Sequence, residues 1–269
     1  MPGNPVAGAL RGGLYTRVIG RRLLFFQEVA STMDEAARQA QAGAQEGTVV
    51  VAETQTAGRG RLGRSWVSRP GNLYLTIVLR PTLQTLPFLS CLAGVAVARA
   101  LGQATGLRPS EEGLQPRLRW PNDVLLGGKK VAGILVESAL EGDAVRYALV
   151  GIGINVDLDT SKVQEIANLA TSLNAVASNP VSREEALRRL LQGMDSLYLQ
   201  LAQGKTPLVE WKGLLDTLGR RVRVSWQDQV CWGQAEDVDE LGNLQLRRDD
   251  GQLVTLAAGD VTLYDAALG

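Results

Sequence analysis

Residues 119–138 read RWPNDVLLGGKKVAGILVES. Pro121 disfavours the helical region for the residue before it, so Trp120 is extended and a strand over 117–120 stops here. Asn122 and Asp123 follow in turn-forming order. Their side chains suit either a turn or a ligand or Mg²⁺ ion. Gly127 and Gly128 mark a second turn. Beyond them residues 131–138, VAGILVES, form a short apolar run that reads as a largely buried strand. Lys130 stands at the mouth of that strand. It is either an ordinary strand-edge lysine or a cation aimed into a pocket of the sheet.

Working outward, residues 145–152 read as a strand running into Gly151-Ile-Gly-Ile-Asn155. Upstream, residues 72–80 alternate, with Leu73, Leu75, Ile77 and Leu79 on one face. Residues 48–53 (TVVVAE) and 23–29 (LLFFQEV) read as two more strands. Thr32-Met-Asp-Glu35 has the T-x-x-E form of a capping box, which starts a helix at Ser31 or Thr32. A second helix is expected around 87–104. Ser182-Arg-Glu-Glu185 is a second capping box, followed by apolar residues at helical spacing from Leu187 to Leu201. Trp211, Leu214, Leu215 and Leu218 mark a further short helix.

After Gly219 the pattern changes. Runs at 220–226, 229–238, 243–248, 252–257 and 261–264 read as five short strands separated by turns, which suggests a small closed barrel. The expected organisation is a flexible N-terminal segment over 1–22, a main unit over 23–218 and a C-terminal unit over 219–269.

The composition excludes whole classes of chemistry. The 269 residues include no histidine, so there is no Ser-His-Asp triad and no imidazole metal ligand. Two cysteines far apart in the chain make neither a disulfide framework nor a thiolate metal site. Lys+Arg and Asp+Glu both number 28, so no net charge favours a nucleic acid or a membrane surface. No apolar run is read as a membrane span and no leader is read at the N-terminus, so the expectation is a soluble cytoplasmic protein.

The densest signal is Gly58-Arg-Gly-Arg-Leu-Gly-Arg-Ser-Trp66. Glycines let a backbone approach an anion closely. Arg59, Arg61 and Arg64 offer planar multi-donor forks for phosphate or carboxylate. Trp66 offers a flat face for a purine. Such a loop repels itself when empty and is ordered by an anionic ligand; a solvated basic loop is the plainer alternative. Gly151-Ile-Gly-Ile-Asn155 lacks the spacing of a dinucleotide fingerprint, and by itself reads equally as a strand end needing small residues.

Together and in this order, STMDEA, ETQTAGRGRLGRSW, NLYLTIVLRP, RWPNDVLLGGKKVAGILVES and GIGINV resemble the biotin–protein ligase family, from about residue 23 to the end. The resemblance implies an α+β fold: a mixed β-sheet with helices packed on one face, similar to class II aminoacyl-tRNA synthetases, plus a small C-terminal SH3-like barrel. It implies activation of biotin with ATP and Mg²⁺ to biotinyl-5′-AMP, then transfer to a lysine of a biotin carboxyl carrier domain. That chemistry needs no histidine, because the biotin carboxylate is already ionised and the second nucleophile belongs to the acceptor.

By the same resemblance, Ser31, Thr32, Met33, Gln55, Gly58, Arg59, Gly60, Arg61, Lys130, Gly133, Ile134 and Leu135 meet biotin. Arg61, Arg64, Trp66, Asn122, Lys130 and Asn155 meet ATP, and Asp123 the metal. Lys130, Arg59 and Arg61 are the catalytic candidates. The family usually has Asn at Met33 and often Lys at Arg119. About 22 residues precede the first strand, too few for a winged helix-turn-helix, so no DNA binding is expected. The protein is expected to be a monomer or homodimer. A lipoate-ligase-like enzyme and a non-catalytic biotin sensor are the competing readings.

Overall fold

The computed structural model describes residues 13–106, 114–226 and 229–263. Seven strands form the main sheet: β1 (Arg22–Val29), β2 (Thr48–Gln55), β3 (Leu73–Leu79), β4 (Arg117–Arg119), β5 (Asp123–Leu126), β6 (Lys129–Glu141) and β7 (Ala144–Ile154). Their order is β1-β2-β3-β7-β6-β5-β4. Only β1 and β2 run parallel; every other pair is antiparallel.

The two sheet faces differ. Leu73, Leu75, Ile77 and Leu79 of β3 enter the main core. There they meet two long helices, α2 (Leu89–Thr105) and α3 (Arg183–Ala202). The opposite face carries Val50, Val78, Tyr147 and Leu149, which pack on Met33, Ala36 and Ala40 of helix α1 (Thr32–Gln41). Strand β3 is therefore buried on both sides, although its alternation alone reads as one-sided. The long helices share one face, and α1 covers part of the other.

Three local readings are corrected. Ser31, not Thr32, caps α1, its Oγ accepting from the Met33 amide at 3.2 Å. The segment between 120 and 131 holds an additional strand, β5, and the Gly127–Gly128 turn joins β5 to β6. Both turn glycines have positive φ, 55° and 75°, as a two-residue hairpin turn requires. The flexible segment expected over 1–22 fails for its later part. The amides of Arg17, Val18 and Ile19 each donate to the Asp195 carboxylate at 2.8 Å, and Ile19 is fully buried. Residues 1–12 lie outside the described residues.

Leu86–Thr105 is long and apolar enough to cross a membrane by length and composition alone, but most of it is buried inside the protein. Its small and branched residues (Ala93, Val95, Ala96, Val97) let it pack as the central helix of the core.

The C-terminal sheet contains the five expected strands: β8 (Arg221–Trp226), β9 (Gln229–Val238), β10 (Leu244–Arg248), β11 (Leu253–Leu256) and β12 (Asp260–Leu263). Its order is β11-β10-β9-β8-β12. Among the described residues β11 and β12 remain edges, so the sheet is not a closed barrel. Val222, Val224, Ala235, Leu244 and Leu246 join the main core. Trp120 fastens the two sheets. Its amide donates to Thr217 Oγ1 at 2.9 Å and its Nε1 to the Gly242 carbonyl at 3.0 Å. The Trp120–Pro121 peptide is cis.

Candidate active site

Beside α1 the same sheet face carries glycine at three neighbouring positions, Gly133, Gly151 and Gly153. Gly133 of β6 and Gly153 of β7 are register partners and lie under the Trp66 ring. A Cβ at Gly153 would stand 2.5 Å from Trp66 Cε2, and one at Gly133 2.7 Å from Cζ3. Neighbouring Gly151 accommodates the Met33 thioether in the same way. The resulting cavity holds about 470 Å³ of empty space, part of it open to solvent.

Lys130 reaches this cavity through a β-bulge. The β5–β6 register passes from Val124↔Ala132 to Leu125↔Lys130, leaving Val131 unpaired by β5. Val131 and Ala132 therefore both enter the main core. Lys130 emerges on the opposite face, beside Gly133. Its Nζ lies 5.1 Å from the Trp66 ring centroid and 2.7 Å from Asp123 Oδ1. Its backbone is clamped by Leu169 O and Thr171 N, each at 2.9 Å.

The Gly/Arg loop closes one wall. Arg59 pairs with Asp34 of α1 at 2.9 Å and Glu137 of β6 at 3.2 Å. Arg64 pairs with Asp260 of β12. Arg61 donates to neutral oxygens, Asn122 Oδ1 at 3.2 Å and Gly259 O at 3.4 Å. Burial lowers the Arg61 pKa below the ordinary guanidinium value; Asp123 opposes the fall and Arg64 adds to it. The self-repulsion expected of an empty loop is thus offset by carboxylates from three separate elements. Leu62 sits at φ 54°, an uncommon conformation for a side chain of this kind.

The other end is polar and pre-arranged. Gln55 Oε1 accepts from the Thr32 amide at 2.8 Å and from its hydroxyl at 3.1 Å, and Gln55 Nε2 donates to Ser68 Oγ at 2.9 Å. Thr76 donates to Thr32 Oγ1 at 2.9 Å. Asn122 Nδ2 donates to Ile134 O at 2.5 Å, which locks the turn across the hairpin.

Of the residues expected at biotin, eleven line the cavity: Ser31, Thr32, Met33, Gln55, Arg59, Gly60, Arg61, Lys130, Gly133, Ile134 and Leu135. Gly58 does not. It packs beneath the loop, where a Cβ would meet Trp66 O at 2.6 Å. Of those expected at ATP, Trp66 and Asn122 line the cavity with Arg61 and Lys130; Arg64 and Asn155 stand outside it. Asn155 is buried, and its Nδ2 donates to Thr171 O at 3.0 Å. Arg119 is also away from the cavity, its Nε buried without a hydrogen-bond partner among the described residues, as is Trp66 Nε1.

Asp123 is engaged by Lys130, and among the described residues no three metal-ligating side chains converge. A Mg²⁺ ion held chiefly by phosphates needs only one such carboxylate. Tyr74 also lines the cavity and was missed by the sequence reading; Gly151, Ile152 and Gly153, noted there only as part of the Gly151–Asn155 motif, line it too. Tyr74 was legible in principle, as an even-numbered residue of an odd-faced strand.

Residues 25–155 match the "Biotin/lipoate A/B protein ligase family" and residues 217–264 match the "Biotin protein ligase C terminal domain". The first match defines a broad class of protein ligases, and the second narrows it. The chain is 36% identical over 256 residues to the bifunctional ligase/repressor BirA of Bacillus subtilis, covering 93% of this chain and 77% of that one. It is 34% identical over 250 residues to the biotin–[acetyl-CoA-carboxylase] ligase of Mycobacterium tuberculosis, covering 90% and 88%. The biotin protein ligase of Aquifex aeolicus, solved in complex with biotin and ATP, is similar with a TM-score of 0.74 at 30% identity, over 91% of this chain and 100% of that one. The chain belongs to the biotin protein ligase family.

Proposed function

We propose that this protein activates biotin with MgATP and transfers the biotinyl group to a lysine of a biotin carboxyl carrier domain. The observation that carries the reading is one cavity with two chemically distinct ends. Gln55, Thr32 and Ser31 form a polar end suited to a neutral hydrogen-bonding ring. Arg61 and Lys130 form a cationic end suited to a carboxylate and a phosphate. Met33 and Leu135 line an apolar slot between them, over the bare backbone of Gly133 and Gly151, as an acyl chain requires.

In the first step a biotin carboxylate oxygen attacks the α-phosphorus. A P–O bond forms, the α–β phosphoanhydride bond breaks, and pyrophosphate leaves. Lys130 and Arg61 neutralise the charge shared by the two anions and hold them in line. Arg59 closes the loop over the acyl group, Gly58 lets the loop pack closely against Trp66 and Ser68, and Arg64 meets the departing phosphates. Trp66 provides the face for adenine. Asn155, buried and bonded to Thr171, supports the strand end beside the site. Asp123 would hold a Mg²⁺ ion, which would screen phosphate charge. In the second step the acceptor's amine attacks the acyl carbon, a C–N bond forms, the acyl–phosphate C–O bond breaks, and AMP leaves. We read residues 23–218 as the catalytic unit and 219–269 as an accessory unit, working in the cytoplasm where ATP is supplied.

Isotopic pyrophosphate exchange with biotin and with lipoate, followed by mass spectrometry of a carrier domain, tests this. Exchange with biotin and the mass gain of one biotinyl group are expected. Exchange with lipoate alone would overturn the proposal, and binding of biotin without exchange would mark a sensor.

A further inference from the structure

Two consecutive residues of the C-terminal sheet hold two of the three loop arginines. Arg61 donates to Gly259 O, and Arg64 pairs with Asp260. The turn that presents them is itself tightly seated. Gly259 has φ 153°, and a Cβ there would lie 2.5 Å from Val224 Cγ1 of β8 and 3.6 Å from Trp120. So the Gly259 backbone packs against β8 and Trp120 and the Asp260 backbone pairs with Ser225 of β8, while the loop they hold carries no buried side chain over Arg61–Gly63.

We propose that Asp260 is a positioning residue for nucleotide binding. It acts through Arg64, presetting that guanidinium for the triphosphate and tying the loop to the C-terminal sheet. This inference rests on the ligase reading. The charge logic is local. Arg59, Arg61 and Arg64 lie within six positions, and Arg64 already lowers the Arg61 pKa. A carboxylate beside Arg64 offsets that repulsion. It occupies one terminal nitrogen of a five-donor fork, leaving the other donors to face an anion. Holding a long flexible side chain in place before the ligand arrives lowers the entropy lost on binding. Arg247 and Arg248, the C-terminal arginines nearest in kind, are engaged elsewhere, with Glu236 and Asp250.

The test uses the full chain with Asp260→Asn and Asp260→Glu. For Asp260→Asn, the KM for ATP rises about tenfold, equivalent to about 1.4 kcal/mol, while kcat and the KM for biotin change less than about twofold. Asp260→Glu restores the KM. Without any ligand, trypsin cuts after the loop arginines several times faster in Asp260→Asn than in the parent at equal melting temperature. In an Arg64→Gln background, Asp260→Asn adds nothing to the cleavage rate. Unchanged KM for ATP with unchanged cleavage would overturn the inference, as would an additive effect in the Arg64→Gln background. Because the cleavage arm needs no substrate, it still reads the latch if the ligase activity itself is absent.

Discussion

Lys130 reaches the cavity because one neighbour, Val131, is surplus to the β5–β6 pairing. Strict alternation from Gly133 and Leu135 would turn Lys130 into the core and Val131 into the site. The bulge reverses both, placing an apolar side chain in the core and the cation over Trp66. That argues for a charge-stabilising role. Lys130→Ala is expected to lower adenylation about 100-fold, the scale for losing one placed donor at a developing charge, with biotin affinity reduced less. Pyrophosphate exchange and calorimetry check this, and unchanged exchange would remove Lys130 from the mechanism. Trp66 shows a similar dependence on its surroundings. Its indole is conspicuous in the sequence, but the floor that receives it consists of two glycines that only sheet register brings together.

Elements read well where one periodicity dominates. Helix α3 follows from its apolar spacing and Ser182 cap, whose Oγ accepts from the Glu185 amide at 3.2 Å. The reciprocal half of that capping box is absent, because the Glu185 carboxylate pairs with Arg188 and Arg189. Strand β5 was not legible: four residues between a proline and two glycines carry too little pattern. The pinned segment at Arg17–Ile19 was not legible either, since its partner lies more than 170 positions away. That anchor has a measurable weight. Asp195 is buried and accepts three amides. Asp195→Ala should destabilise the protein by about 2 kcal/mol, chiefly from the buried Ile19 amide left without an acceptor. Urea unfolding measures it, and an unchanged midpoint would show the segment to be peripheral.

At the scale of the molecule, one apolar core runs through both sheets, so global stability reports on both. Two buried tyrosines give it a pH dependence. Burial raises the pKa of Tyr74 above its ordinary 10.0. Burial also raises that of Tyr198, reinforced by its hydrogen bond to Glu46. A folded-state value above the unfolded one means that their contribution is fully present below about pH 10 and is lost as pH rises toward the folded values. Each should contribute a slope of about −1.4 kcal/mol per pH unit once the unfolded tyrosine ionises. Denaturant titrations above pH 10 in the parent and in Tyr198→Phe check this; the variant should show the shallower slope.

The sequence by itself determined the chemical inventory: no histidine, a glycine-spaced arginine cluster and a scarce lysine beside an apolar strand. It also determined most elements, because burial on one side of a strand or helix imposes a period that local composition records. Tertiary structure alone decided which way Lys130 points, which glycines form the floor, and that Asp34, Glu137 and Asp260 offset the loop's charge. Each depends on register or on contacts between residues distant in the chain. Local periodicity carries no record of either, since the same short segment satisfies its own preferences whichever partner it later meets.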